Sequence, residues 1–301
     1  MKTADTTVKT KTLEAPNFDL EETMTCGQTF CWHRTQGKLY RNKDRTSSRE
    51  VSDRFYTFRK QRPLIVEQED EKLHVQTELD KDEVEEALGL HHDLEDIFER
   101  FPEDSRLEKA RQELWGLRIV QDEFFPCLIS YLCSPQMRIP RIKKMHNQIA
   151  RKYGELHETD GEKLLRFPTQ KELSQASEDE LRELGIGYRA KYISETLDIL
   201  EDGFNHSEMD KMEYIEARRH LKQLYGVGDK VADCILLFSK GFYQAYPLDT
   251  WALQAVEKHY PEHHSDDYDE TSENLRNHFG DYSGYAQEYI FHAARKGIIE
   301  V

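Results

Sequence analysis

The chain is short of several things, and each shortage excludes a class. Cysteine is scarce: of 301 residues five are cysteine, Cys26, Cys31, Cys127, Cys133 and Cys234, odd in number and with no Cys-x-x-Cys pair. That argues against a disulfide framework or a structural zinc site and for a reducing, cytosolic setting. Long hydrophobic runs are absent, so nothing approaches the roughly 20 apolar residues of a membrane span. The start, MKTADTTVKTKTLEAP, has no apolar core of a secretory signal, so a secreted product is not expected. Proline and glycine are too few for collagen-like or low-complexity chains, and 37% hydrophobic residues are too many for a wholly disordered one. Positive charge is also deficient: 42 Lys+Arg face 58 Asp+Glu, a formal net charge of −16. Taken as a sum, this argues against a polyanionic partner.

The sum hides a distribution. QMRIPRIKKMHNQIARKYG (136–154) carries Arg138, Arg141, Lys143, Lys144, Arg151 and Lys152 and no acid. The stretch 218–242 is also basic on balance. The acid lies in runs at 66–72, 78–86 and 265–274, which read as solvated surface.

Two parts are expected. Residues 1–16 are polar and read as a flexible N-terminus. From Phe18 to Gln76 short alternating segments, among them FCWHRTQGKLYR, YTFRK and PLIVEQEDEKLHVQT, predict antiparallel strands. From Asp82 onward apolar residues recur at i, i+3 and i+4 and predict helices. The expected division is a β-sheet domain with a helical end over 17–115 and an all-helical domain over 116–301, its final helix at 284–296. The fold class is α+β, mainly α.

The richest stretch is HLKQLYGVGDKVADCILLFSKGFYQAYPLDTWALQAVEKHY (220–260). A helix is expected to end near Leu224. Gly226, Val227 and Gly228 form a tight turn, and a second helix starts at Asp229. A helix–Gly-x-Gly–helix hairpin aims backbone N–H groups at a phosphate and grips nucleic acid without reading sequence. Lys230 lies in the first turn of the second helix, where the dipole disfavours a second positive charge and so favours the free amine that Schiff-base chemistry requires. Cys234 follows at i+4 on the same face. Taken locally, a surface lysine is the plainer reading of Lys230. Asp249 is a helix N-cap by type and place. It is also a carboxylate free to face Lys230 and to stabilise positive charge developing at a sugar C1′.

Taken together these residues resemble the helix-hairpin-helix (HhH-GPD) DNA glycosylases, and within them the eukaryotic-type 8-oxoguanine DNA glycosylases. The resemblance runs from Phe18 to Lys296. It rests on LYGVGDKVADCILLFSKGFYQAYPLD, on FPTQKELSQASEDELRELGIGYRAKYI before it, on GYAQEYIFHAARK (284–296), and on CGQTFCW (26–32). It implies Lys230 as the Schiff-base nucleophile, Asp249 as the catalytic aspartate and Cys234 as the pocket cysteine beside the lysine. It further implies Phe291 stacked on a flipped base, Gln287 reading its pairing edge, and the Gly27 carbonyl accepting the N7–H that oxidised guanine has and guanine lacks. On its own, Gly27 reads as a strand bulge. Tyr188 is implied as the wedge filling the gap, and Arg141 and Arg189 as the holders of the orphaned cytosine.

Three departures stand out. Gln136 replaces an asparagine, which implies looser opposite-base selectivity. Trp251 replaces a phosphate-contacting histidine, and Tyr225 replaces a proline before the hairpin. With no cysteine after Cys234, an iron–sulfur cluster is not expected. No cofactor is required, although the resemblance places a monovalent cation, K+ or Na+, at the carbonyls of Lys222, Leu224 and Val227. The implied activity is a bifunctional glycosylase and abasic-site lyase on oxidised guanine in double-stranded DNA, acting as a monomer in the cytoplasm and nucleoid, or in the nucleus of a eukaryote. A same-fold glycosylase for alkylated bases and a non-catalytic hairpin DNA-binding protein are the alternatives. The first normally lacks the lysine, and the second needs neither Lys230 nor Asp249.

Overall fold

The computed structural model describes residues 10–35, 54–159 and 162–301. Five antiparallel strands form the amino-terminal sheet: β1 (Thr10–Glu14), β2 (His33–Arg34), β3 (Arg54–Arg59), β4 (Arg62–Glu69) and β5 (Lys72–Thr77), in the order β1-β5-β4-β3-β2. Register places Phe55 opposite Val66 and Val66 opposite Val75, so one face of the sheet is a ladder of buried apolar side chains. That face packs on α1 (Leu20–Thr25) through Leu20 and Met24, and on α2 (Lys81–Leu88) through Val84, Ala87 and Leu88. The opposite face presents Tyr56 and Ile65 to Leu164.

Two expectations for this part are corrected. Thr10–Glu14 is not a flexible tail but an edge strand paired with β5, stabilised by alternate burial and by Lys11 Nζ donating to the Leu79 carbonyl at 2.7 Å. The reading of 18–76 as strands alone misses α1, whose N-cap Asp19 accepts the Glu22 N–H at 2.8 Å. Of FCWHRTQGKLYR only His33 and Arg34 pair as a strand within the described residues, and the part from Gln36 lies outside them.

Helices follow: α3 (Leu94–Glu99), α4 (Ser105–Leu114), α5 (Phe124–Leu132) and α6 (Ile139–Tyr153). A hairpin of β6 (Glu155–Thr159) and β7 (Glu162–Arg166) comes next, then α7 (Gln170–Leu173), α8 (Glu178–Leu181), α9 (Arg189–Glu201), α10 (Tyr214–Leu221), α11 (Asp229–Lys240), α12 (Thr250–His259), α13 (Tyr268–Phe279) and α14 (Ser283–Lys296). The domain expected to be all-helical thus carries one β-hairpin, and β7 lays Leu164 against the outer face of the sheet. The boundary at 115/116 also shifts in physical terms. Leu94, Ile97, Leu107, Ala110 and Leu114 share one apolar core with α5, α11 and α14 rather than with the sheet.

Candidate active site

The segment after α10 closes as a tight hairpin: Leu224 N–H donates to the Leu221 carbonyl and Val227 N–H to the Leu224 carbonyl. Gly226 sits at φ +83°, and a Cβ there would lie 2.5 Å from the Tyr192 ring, so the position requires glycine on both counts. Gly228 is the N-cap of α11, without a side-chain cap, and a Cβ there meets nothing within 4 Å. The N-terminus of α11 therefore opens onto free space with its orphan N–H groups uncapped. One expectation is corrected. The Val227 N–H is already given to Leu224 at 3.1 Å and its side chain is buried, so Gly226, Gly228 and the first turn of α11 supply the free donors. The preceding helix also ends at Leu221, not near Leu224. Of the three carbonyls expected to bind a cation, that of Leu224 accepts Val227 and, among the described residues, those of Lys222 and Val227 accept nothing. Neutral carbonyl oxygens at a turn suit a monovalent cation.

The hairpin is held from behind. Asp233, fully buried on α11, accepts the hydroxyls of Tyr214 and Tyr268 at 2.7 Å each and pairs with Arg218 at 2.9 Å. Burial raises the Asp233 carboxyl and Arg218 works against it. Arg218 also reaches Asp229 and Asp269, so one guanidinium ties α10, α11 and α13 together.

Lys230 stands half-buried in the first turn of α11. Its Nζ lies 3.4 Å from Ser134 Oγ and 5.1 Å from the centroid of the Tyr131 ring, and its charge acts on the Cys234 thiol. Burial pushes that thiol up to about 12, with Lys230 pulling the other way, so Cys234 stays protonated and apolar in character. Asp249 is the N-cap of α12 and accepts the Ala252 N–H at 2.8 Å, so the capping role is real. Its charge is also felt at Cys234 and at Glu288, where it adds to burial in raising both groups.

Gly27 is not a strand bulge. It follows the C-cap of α1 at φ +115°, and a Cβ there would lie 2.5 Å from Ile139 and 2.7 Å from Arg295. Its neighbours are fixed on every side. Gln28 donates to the Thr23 and Arg118 carbonyls and accepts from Val120, and the Gln28 carbonyl accepts the Tyr131 hydroxyl at 2.6 Å. Among the described residues no donor is placed on the Gly27 carbonyl itself. A free acceptor on a pinned loop is what a single-bond test of N7–H needs. Gln287 and Phe291 lie one turn apart on α14. Both are buried, and the Gln287 Oε1 has no partner. A buried amide oxygen left unpaired is costly unless a ligand satisfies it.

A second cluster forms the rim. Tyr188, 43% exposed, precedes α9. Gln136 stands exposed at φ +57°, a conformation asparagine accepts more readily than glutamine. Arg141 donates to the Gly185 carbonyl at 3.0 Å, which ties the start of α6 to the turn before Tyr188. Arg189 differs from expectation. Its guanidinium is buried under the Tyr188 ring, 4.3 Å from the centroid, and donates to the Pro135 carbonyl, with Nε unpaired. It props the Tyr188 ring and the 135–136 turn and does not stand out into solvent. Trp251 and Tyr225 are both exposed, and the Tyr225 ring lies against Tyr192 and Lys191. The basic island at 136–154 is smaller than its sequence. Lys143 points inward, donates to the Trp32 carbonyl at 2.7 Å, and is pulled down to about 7 by burial.

Sequence reasoning missed Tyr131, Ser134, Glu288 and Arg295. Ser134 lies inside the CSPQMRIPR stretch singled out for Gln136, and Glu288 adjoins Gln287, so proximity in sequence was their one signal. Among the described residues, no cluster of His, Cys, Asp and Glu is arranged to hold a metal, and no helix is long and apolar enough to cross a membrane.

Comparison with known proteins accords with this geometry. Residues 11–128 match the family described as 8-oxoguanine DNA glycosylase, N-terminal domain, and residues 129–280 match the HhH-GPD superfamily of base excision DNA repair proteins. A probable N-glycosylase/DNA lyase from Methanothermobacter thermautotrophicus is 32% identical over 241 residues, 73% of this chain and 77% of that protein. The N-glycosylase/DNA lyase OGG1 of Arabidopsis thaliana is 36% identical over 203 residues, 62% of this chain, which there spans about half (54%) of the relative. The crystal structure of a Clostridium acetobutylicum 8-oxoguanine glycosylase/lyase bound to double-stranded DNA is similar at TM-score 0.81 and 29% identity, over 98% of this chain and all of that one (100%). A sheet domain, a hairpin carrying Lys230 and a buried unpaired glutamine on the last helix thus sit in a matching frame, and the chain belongs to the HhH-GPD superfamily of base excision DNA repair proteins, in its 8-oxoguanine DNA glycosylase branch.

Proposed function

We propose that the chain excises 8-oxoguanine from double-stranded DNA and then cleaves the abasic site, acting as a monomer wherever the cell keeps its DNA. The observation that carries this reading is Lys230 beside the Cys234 thiol at the start of α11, in a chain whose buried Gln287 oxygen and Gly27 carbonyl are left without partners among the described residues. The uncapped N-terminus of α11 and the N–H groups of Gly226 and Gly228 hold a phosphate, and a monovalent cation at the carbonyls of Lys222, Leu224 and Val227 would add positive charge behind them. Tyr188 enters the stack where the damaged nucleotide leaves it, with Gln136 and Arg141 beside the orphaned cytosine. The base lies between Phe291 and Cys234, its pairing edge on the Gln287 amide and its N7–H on the Gly27 carbonyl. Ordinary guanine presents a lone pair there, and two facing acceptors repel.

Lys230, as the free amine, forms the N–C1′ bond while the bond from C1′ to the base nitrogen breaks and its electron pair leaves with the base, which takes up a proton. The Asp249 carboxylate stabilises positive charge on the sugar. Opening of the sugar gives the protonated Schiff base. Loss of a 2′ proton then expels the 3′ phosphate by β-elimination.

The test is product release from duplexes carrying 8-oxoguanine opposite cytosine, ordinary guanine, or alkylated purines. Free 8-oxoguanine from the first duplex alone supports the reading. Release of alkylated purines in its place assigns the chain to alkylation repair, and salt-sensitive binding without release from any duplex removes the catalytic role.

A further inference from the structure

Helix α14 carries two neighbouring stripes. Gln287 and Phe291, at i and i+4, form the stripe that reads the base. Glu288, His292, Arg295 and Lys296, at i, i+4, i+7 and i+8, form the next one. Every member of the second stripe engages the short segment that leads into Gly27. His292 Nε2 meets Glu22 Oε2 at 2.8 Å and Lys296 Nζ meets Glu22 Oε1 at 2.6 Å, so both carboxylate oxygens of Glu22 are taken by α14. The Glu22 backbone carbonyl in turn accepts the Cys26 N–H at 3.0 Å, closing α1 one residue before Gly27. Arg295 donates to the Cys26 carbonyl, and the Glu288 carboxyl adjoins the Cys26 thiol: burial raises both groups, Glu288 raises the thiol further and the thiol draws the carboxyl back down. Although burial opposes it, His292 and Lys296 hold Glu22 down to about 2, so the latch carries a fixed negative charge.

We propose that Glu22, held by His292 and Lys296, is a positioning residue that sets the gap between the Gly27 carbonyl and the reading face of α14, and so sets discrimination between oxidised and ordinary guanine. The inference rests on the reading that Gly27, Gln287 and Phe291 hold the base. A hydrogen bond tolerates only a few tenths of an ångström before it weakens, so a discrimination carried by one N–H···O bond depends on that gap. Lys230 and Asp249 sit on α11 and at the head of α12, outside the latch. Cleavage of a preformed abasic site needs these two and no base, so it does not depend on the gap.

The experiment compares single-turnover rates on two duplexes, one with 8-oxoguanine opposite cytosine and one with a preformed abasic site opposite cytosine. Glu22→Gln is expected to slow 8-oxoguanine excision by about tenfold or more, in the range that small misplacements cost, while abasic-site cleavage stays within about twofold. Lys296→Met, at an exposed side chain, shifts the ratio the same way by a smaller factor, and Lys296→Arg restores it. Equal losses on both duplexes, or an unchanged ratio in Glu22→Gln and Lys296→Met, overturn the proposal. Wild-type protein that cleaves the abasic duplex and leaves 8-oxoguanine in place overturns the underlying reading before any variant is compared.

Discussion

The Tyr131 hydroxyl donates to the Gln28 carbonyl at 2.6 Å, while the Tyr131 ring lies 5.1 Å from the Lys230 amine. One side chain of α5 thus touches both halves of the site, the loop of Gly27 and the nucleophile. Tyr131→Phe keeps the ring and leaves the Gln28 carbonyl unpaired. It should cost about 1–3 kcal/mol in chemical denaturation, as a buried acceptor left without a donor does. Excision of 8-oxoguanine should fall more than cleavage of an abasic duplex, measured side by side on refolded protein.

Gly226 and Gly228 are predicted to respond differently to alanine. Gly226→Ala places a methyl group 2.5 Å from Tyr192 at φ +83°, and about 1–3 kcal/mol of stability should be lost to strain and repacking. Gly228→Ala meets no neighbour, and its thermal midpoint should move less. Equal destabilisation by the two would contradict the hairpin geometry.

Asp233 is predicted to be the structural keystone of the hairpin. Asp233→Ala leaves two tyrosine hydroxyls without their acceptor and takes from Arg218 the one of its three carboxylates that is fully buried. Removing one partner of a buried pair costs about 3–5 kcal/mol. Urea unfolding measures this. A loss below about 1 kcal/mol would show that α10 and α13 are held by other means.

Glu288 predicts a pH dependence of stability. Burial pushes its carboxyl from 4.5 up to about 7, against the pull of Cys26 and Arg295. Between those values the folded chain keeps a proton that the unfolded chain has released. The Glu288 contribution to stability therefore falls as pH rises from about 4.5 to about 7. Glu288→Gln removes that contribution and shifts the slope in the positive direction relative to the wild type. Asp122, which burial raises to about 6, contributes in the same direction as Glu288, and the buried His92 and His146, which burial lowers to about 3, contribute in the opposite one. A slope unchanged in Glu288→Gln would show that the group is not titrating there.

How much of this was legible depends on range. Spacing at i and i+4 puts Lys230 and Cys234 on one helix face, and the glycines mark the hairpin, because both are local properties of the backbone. The β-hairpin of β6 and β7 had a local signal too, Asp160-Gly161 between alternating segments, which the helical spacing around it obscured. Strand β1 was hidden because a polar edge strand looks like a tail until its partner β5 is placed. The inward turn of Lys143 and Arg189 could not be read either, since a basic residue counts the same in a charge sum whether it faces water or a carbonyl. Tyr131 and the latch on α14 join residues far apart in the chain through packing, and no motif encodes them. The net charge of −16 likewise misleads as a sum: the hairpin offers backbone N–H groups, which carry no formal charge.

The nucleophile is the central claim, and borohydride trapping tests it most directly. Wild-type protein, mixed with a duplex carrying 8-oxoguanine opposite cytosine and reduced with borohydride, should give a covalent protein–DNA adduct. Lys230→Gln, folded and still able to bind the duplex, should give none. An adduct of undiminished yield in Lys230→Gln would contradict the assignment and place the Schiff base on another amine.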